Sequence, residues 1–211
     1  MTYLDPSQRQ ALSPDPVRQV AVLAEQARNG DEHAFELLVG LFREEIYRMV
    51  YYRTQSRMDA EDLTQDVFLL AFRNLSRLKD LDRFRPWIFK IAVNRVRDFH
   101  RKKRFLAFFG FSAGESDEQP EEPDIEVHGN PRVLDELMRH EFWRRVEQVS
   151  KRFSPMEQEV FVLRFMDELG IREIAEVLNK SESAVKTHLY RALKKFKDDS
   201  AFNDFLEEGM P

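Results

Sequence analysis

The sequence predicts an all-α chain of two small helical domains joined by a flexible acidic linker, the second of them a helix-turn-helix domain. Three observations predict it. Apolar residues recur at helical spacing along most of the chain, and no stretch alternates as a half-buried strand would. One segment, Ser112 to Pro131, breaks that periodicity with Gly114, Pro120, Pro123, Gly129 and Pro131 among acids. Two helical stretches, Trp87–Arg104 and Ser181–Lys197, are each basic on one side, one before and one after that break.

Charge supports the division. The net charge of −5 over 211 residues conceals a segregation by sign. From Arg95 to Arg104 the cations Arg95, Arg97, Arg101, Lys102, Lys103 and Arg104 face only Asp98. Glu115 to Glu126 then holds seven acids and no Lys or Arg, and from Lys180 to Lys197 Glu182 is the one opposing charge. The acids cancel the two basic stretches in the sum without covering them in space, so two separate grips on a polyanion are expected. The expected layout is an extension over 1–16, a first domain over 17–111, the linker over 112–133, a second domain over 134–197 and an acidic tail over 198–211.

Cysteine is absent, which excludes disulfides, thiolate metal sites and a thiol switch within the chain. Met1 to Pro16 is polar and proline-bearing, unlike a secretory leader. Phe105–Phe111, the most apolar run, is far short of the roughly 20 residues a bilayer span needs. A cytoplasmic protein with no direct membrane insertion is expected.

Asp31 is positioned to cap a helix with an apolar face of Phe35, Leu38, Phe42, Ile46, Met49 and Val50. Asp59 is expected to open the next helix, with Asp62 in its first turn and Leu63, Val67, Leu70, Ala71 and Asn74 on one side. Pro86 suits a first helical position, where its missing N–H costs nothing. Ile88, Ile91, Ala92, Val96 and Phe99 then make a buried stripe. The opposite side carries Trp87, Lys90, Asn94, Arg97 and Arg101, three or four residues apart. Such a face meets phosphates with its cations and bases with its indole and amide. Phe84 and Trp87 straddle Arg85, and aromatics interleaved with Arg suit unstacked bases.

The second domain begins near Leu134 with Leu137, Met138, Phe142, Val146 and Val149 at helical spacing. Ser154, Pro155 and Glu157 form a capping box with proline inside it, leading a helix with Val160, Phe161, Leu163 and Arg164. Gly170 is expected to turn the chain. Ile171, Ile174, Ala175 and Leu178 make a short helix, Asn179 and Lys180 the turn, and Ser181 or Ser183 the cap of a second helix. That helix turns Val185, Leu189, Ala192, Leu193 and Phe196 inward. Asn179 tolerates the left-handed conformation such a turn needs. Lys186, Thr187, Tyr190, Arg191 and Lys194 remain outward, on a helix of the kind that fits the major groove.

Four linked motifs resemble one family. The stretches Asp59–Leu69 (DAEDLTQDVFL), Phe84–Asn94 (FRPWIFKIAVN), Glu159–Arg164 (EVFVLR), and Ile174–Leu178 with Ser183–Thr187 (IAEVL, SAVKT) are similar to those of extracytoplasmic-function (ECF) sigma factors of bacterial RNA polymerase, in order and spacing, over about residues 21–197. The resemblance implies a non-enzymatic initiation factor without cofactor, metal or catalytic residue, whose partners are the largest and second-largest subunits of core polymerase, promoter DNA and an anti-sigma factor. It makes the first domain sigma region 2 and the second sigma region 4. Asp62, Gln65, Asp66 and Phe68 are the implied polymerase contacts. The segment Leu78–Arg85 is the implied base-capturing loop, and Phe84, Trp87, Lys90, Asn94, Arg97 and Arg101 the minus-ten contacts. Lys180, Ser183, Lys186, Thr187, Arg191 and Lys194 are the implied minus-thirty-five contacts, with Lys180 and Lys194 as phosphate anchors. The acidic linker is implied to thread the RNA exit path. Phe105–Phe111 is expected to pack against the second domain or a regulator.

Two other classes fit parts of the sequence. A helix-turn-helix regulator working without polymerase would account for the second domain but not for the Asp59 helix and the Phe84/Trp87 pair together. A metal enzyme on Asp59, Glu61, Asp62 and Asp66 would need one helix to aim all four carboxylates inward, and His33, His100, His128, His140 and His188 show no ligand spacing.

Overall fold

The computed structural model describes residues 16–108, 146 and 148–200, all in helices and the turns between them. The chain divides into two compact units, Met1–Ser116 and Asp117–Pro211. The expected helix over Leu137, Met138 and Phe142 lies outside the described residues, as do the linker and both termini.

The first unit begins with α1 (Pro16–Arg28), which sequence reasoning does not assign because its buried side is made of small residues, Ala24 and Ala27. It packs against α2 (Glu32–Thr54), whose cap is the expected one: the Asp31 carboxylate accepts the Ala34 N–H at 3.1 Å. The buried face of α2 is Ala34, Leu38, Phe42, Ile46, Met49 and Val50. Gln55, left-handed at φ 55°, ends the helix and donates its N–H to the Tyr51 carbonyl at 2.8 Å.

α3 (Arg57–Asn74) starts two residues before Asp59. Ser56 sits in extended backbone and its hydroxyl accepts the Asp59 N–H at 3.2 Å, so Ser56 is the cap and Asp59 lies in the first turn, where its carboxylate still suits the dipole. Two 3-10 turns, Leu75–Arg77 and Leu81–Arg83, lead into α4 (Phe84–Phe108). Because the second turn runs directly into Phe84, Pro86 becomes the third residue of α4 rather than the first; it is tolerated because first-turn N–H groups have no intrahelical acceptor. α4 drives Phe84, Ile88, Phe89, Ala92, Val93 and Val96 into the core made by α2 and α3. Each fully buried large side chain there contributes about 1.5–3 kcal/mol relative to exposure.

In the second unit, helical residues 146 and 148–150 lead to α5 (Pro155–Phe165), then α6 (Ile171–Leu178) and α7 (Glu182–Lys197). The predicted capping box is present: Ser154 Oγ accepts the Glu157 N–H at 3.3 Å, and the Glu157 carboxylate accepts the Ser154 N–H at 2.8 Å. Val146, Val149, Phe153, Phe161, Ala192 and Phe196 form one core cluster, with the rings of Phe153, Phe161 and Phe196 5.2–5.5 Å apart. The chain reverses after α5 at Glu168, which is left-handed at φ 55°. Gly170 is extended at φ −70° and serves as the N-cap position of α6, so the turn expected at the glycine falls two residues earlier.

Candidate nucleic-acid and polymerase interfaces

α3 carries different chemistry on its two flanks. One flank faces α2 across an open groove of about 1180 Å³, walled by Phe35, Val39 and Tyr47 from α2 and by Phe68, Leu69 and Phe72 from α3. Arg43, Glu44, Glu61, Asp62 and Gln65 supply its polar lining. Phe35 and Phe72 meet edge to face at 5.0 Å, and Leu69 and Phe72 remain nearly half exposed. An apolar groove edged with carboxylates is suited to a basic amphipathic helix, since apolar area supplies affinity and charge sets orientation.

Three of the four expected polymerase contacts, Asp62, Gln65 and Phe68, line this groove. Asp66 does not: it is ion-paired with Arg95 of α4 and belongs to the other flank of α3. The four acids weighed for a metal therefore diverge, with Asp59 in the first turn, Glu61 and Asp62 at the groove and Asp66 against α4. Sequence reasoning missed Leu69 and Phe72 as groove residues. Their signal was available, because both are large apolar residues off the buried stripe of α3.

On α4, Asn94, Arg97 and Arg101 are exposed, while Trp87 and Lys90 on the same stripe are half-buried. Arg101 pairs with Asp98 at 3.0 Å and keeps its side chain 78% exposed. Phe84 is a correction: it is completely buried, 5.4 Å from the Phe42 ring and 5.7 Å from Trp87, so it anchors α4 and offers no face to a base. Arg85, between them, is held by Glu45 at 3.1 Å and lies over the Phe89 ring at 5.2 Å. Trp87 is thus the aromatic of the pair that reaches the surface. Phe105 is exposed; residues 109–111 of the aromatic run lie outside the described residues.

The segment before α4 is held in place. Leu78 is buried, the Asp80 carboxylate accepts the Asp82 N–H at 3.2 Å and pairs with Arg83 at 3.4 Å, and α1 packs alongside. A loop so anchored presents its backbone in one shape, which reduces the ordering cost of binding a ligand there.

In the second unit the helix-turn-helix geometry follows the sequence closely. Asn179 is left-handed at φ 53°, ψ 51°, and the following Lys180 N–H reaches the Ala175 carbonyl at 2.9 Å. Ser181, not Ser183, caps α7, its hydroxyl accepting the Ala184 N–H at 3.2 Å. Val185, Ala192 and Phe196 point inward, but Leu193 is 43% exposed and leaves the expected core stripe. Lys180, Ser183, Lys186, Thr187, Arg191 and Lys194 are all exposed, and Tyr190 with them.

Sequence comparison joins the two units to one family. The profile of sigma-70 region 2 matches residues 38–105, which span α2 to α4, and that of sigma-70 region 4 matches residues 144–196, which span the helix-turn-helix. The ECF RNA polymerase sigma factor BldN of Streptomyces coelicolor is 32% identical over 191 residues, covering 88% of this chain and 67% of BldN. The chain is an ECF sigma factor. SigW, an ECF sigma factor of Bacillus subtilis, is 28% identical over 168 residues, covering 79% of this chain and 88% of its own. The fold is shared with CnrH, solved in complex with the cytosolic domain of CnrY, at a TM-score of 0.59 and 24% identity over 91% of this chain and 99% of CnrH. As an ECF sigma factor the protein binds core RNA polymerase and directs promoter-specific initiation of transcription, and the regulator that works without polymerase is not favoured, because it leaves region 2 unexplained. Among the described residues no helix is long and apolar enough to cross a membrane.

Proposed function

We propose that this sigma factor divides its work among three surfaces. The α2–α3 groove receives a helix of the polymerase's largest subunit, through Asp62, Gln65 and Phe68 with Leu69 and Phe72. The loop Leu78–Arg83 and the stripe Trp87, Lys90, Asn94, Arg97 and Arg101 hold the minus-ten element. The exposed face of α7, Lys186, Thr187 and Arg191 with Ser183, reads minus-thirty-five duplex, and Lys180 and Lys194 bind its phosphates.

The observation that carries this reading is that the exposed cations and the half-buried Trp87 lie along one stripe of α4, whereas the acid-edged apolar groove lies between α2 and α3. Polymerase and DNA can therefore be held at once by one unit. Strand opening needs no catalytic chemistry from this chain: binding the single strand better than the duplex offsets an unstacking cost of a few kcal/mol.

The domain limits expected from the sequence, 17–111 and 134–197 with the acidic linker 112–133 between them, belong to the same reading, as does the cytoplasm as the place of action. So does an anti-sigma factor, for which the apolar groove and the exposed Tyr190 and Leu193 on α7 are surfaces worth covering in the inactive state. Strand-specific crosslinking tests the reading: holoenzyme containing this protein crosslinks the non-template minus-ten strand through the region of Trp87. Crosslinks confined to duplex would contradict it.

A further inference from the structure

Lys195 stands among the cations of α7, next to Lys194, one of the two expected phosphate anchors. Its surroundings are different. Lys195 Nζ donates to Glu157 Oε2 at 2.6 Å and to the Arg152 carbonyl at 2.7 Å, and lies 5.8 Å from the centre of the Phe153 ring. Glu157 is nearly inaccessible, at 5% exposure, and its carboxylate also accepts the Ser154 N–H in the capping box of α5. One residue pair thus ties the last turn of the recognition helix to the first turn of α5. A second link lies beside it, where Arg152 pairs with Asp199 at 2.9 Å, just past the end of α7.

From these contacts we infer that Lys195 and Glu157 are positioning residues, which set the rotation of α7 about its axis and so aim Lys186, Thr187 and Arg191, rather than contacts to DNA. The inference rests on the reading of α7 as the minus-thirty-five helix. The apolar contacts of α7 through Val185, Ala192 and Phe196 hold the helix against the core, but apolar burial is non-directional and tolerates small rotations. A rotation of about 20° carries a side-chain end, roughly 5–6 Å from the axis, by about 2 Å. Hydrogen bonds to base edges do not survive that, since a productive site must be held to within about 0.5 Å. A short charge-assisted hydrogen bond with a largely desolvated acceptor restricts the rotation in a way the core does not. The geometry also cancels the Lys195 charge against Glu157, leaving little for a phosphate.

The test measures binding of the full chain to two duplexes, a minus-thirty-five sequence selected from a random pool by this protein and a scrambled duplex of equal length, across a salt series. For Lys195→Met the expected result is a loss of about tenfold on the selected duplex. Binding to the scrambled duplex and the slope of log affinity against log salt stay unchanged, and Lys195→Arg, which keeps donors for Glu157 and the Arg152 carbonyl, restores selectivity. A parallel loss on both duplexes with the slope reduced by about one would make Lys195 a phosphate contact and overturn the inference, as would unchanged selectivity. If Lys195→Met does not fold, the double variant Glu157→Gln/Lys195→Met, which leaves no lone buried carboxylate, is read by the same criteria. Failure of the unaltered protein to prefer the selected duplex, while Arg191→Ala also changes nothing, would remove the reading of α7 itself.

Discussion

Asp66 of α3 is ion-paired with Arg95 of α4, 29 residues away in sequence, so the helix that lines the proposed polymerase groove is fastened by its other flank to the helix that carries the proposed DNA stripe. Arg95 Nε is buried without a hydrogen-bond partner, and Asp66 holds a terminal nitrogen of the same guanidinium. Asp62, one turn earlier, is exposed at the groove and has no such duty.

These two acids should therefore separate stability from binding. Asp66→Ala is expected to lower stability by about 0.5–1 kcal/mol, since the pair is partly solvent-exposed, and to leave core affinity nearly unchanged. Asp62→Arg should leave stability within about 0.5 kcal/mol and weaken core binding at least tenfold. Urea titration and core-polymerase pull-down measure the two effects. Equal loss of core binding in both variants would contradict the assignment of Asp66.

Phe84 and Arg97 make a second contrast along α4. Phe84→Ala removes a fully buried ring against Phe42 and should cost about 3–5 kcal/mol. Arg97→Ala, at an exposed position, should leave the denaturation midpoint in place and weaken holoenzyme binding to minus-ten promoter DNA that includes the duplex upstream of the bubble. A Phe84→Ala protein of normal stability with impaired strand binding would restore Phe84 to the DNA surface.

On α7, Arg191→Ala should weaken binding to minus-thirty-five duplex by about 1–3 kcal/mol and relax selectivity at the bases it reads, with core binding intact. Fluorescence anisotropy on selected and substituted duplexes measures both. Loss of core affinity to the same extent would mean that the variant is misfolded.

Acid should unfold the second unit partly through Glu157. The Lys195 hydrogen bond, and after it the Ser154 N–H, hold this carboxyl below the ordinary glutamate range. A carboxyl whose folded pKa is depressed contributes stability that is fully present above its unfolded value and disappears as pH falls through the folded one. Stability should thus be flat near neutrality on this account and begin to fall near about pH 4.3, where an unfolded-chain glutamate takes up its proton. Glu157→Gln should be less stable at pH 7 and show a shallower acid slope. Parallel slopes for the two proteins in chemical denaturation would show that Glu157 contributes nothing to the pH dependence.

What could be read from sequence was what local rules decide. Asn179 is the residue that tolerates the left-handed turn, Asp31 and the Ser154–Glu157 box are caps, and the outward face of α7 follows from its inward one. The misreadings depended on distant partners. Phe84 beside Arg85 and Trp87 has the pattern of a base-stacking cluster, and only Phe42, on another helix, shows that the ring is core. Asp66 looks like its neighbour Asp62 until Arg95 is placed against it. Leu193 has the apolar character of a core residue, but α7 packs along Val185, Ala192 and Phe196, and Leu193 falls beside that line.

The central claim, that these surfaces together make a promoter-directing subunit, is tested most directly by run-off transcription from a genomic fragment pool with purified core polymerase, with and without the full chain. Discrete start sites that depend on the protein, disappear with Asp62→Arg and share two upstream elements are the predicted result. Duplex binding by the protein with no new start sites would contradict the account.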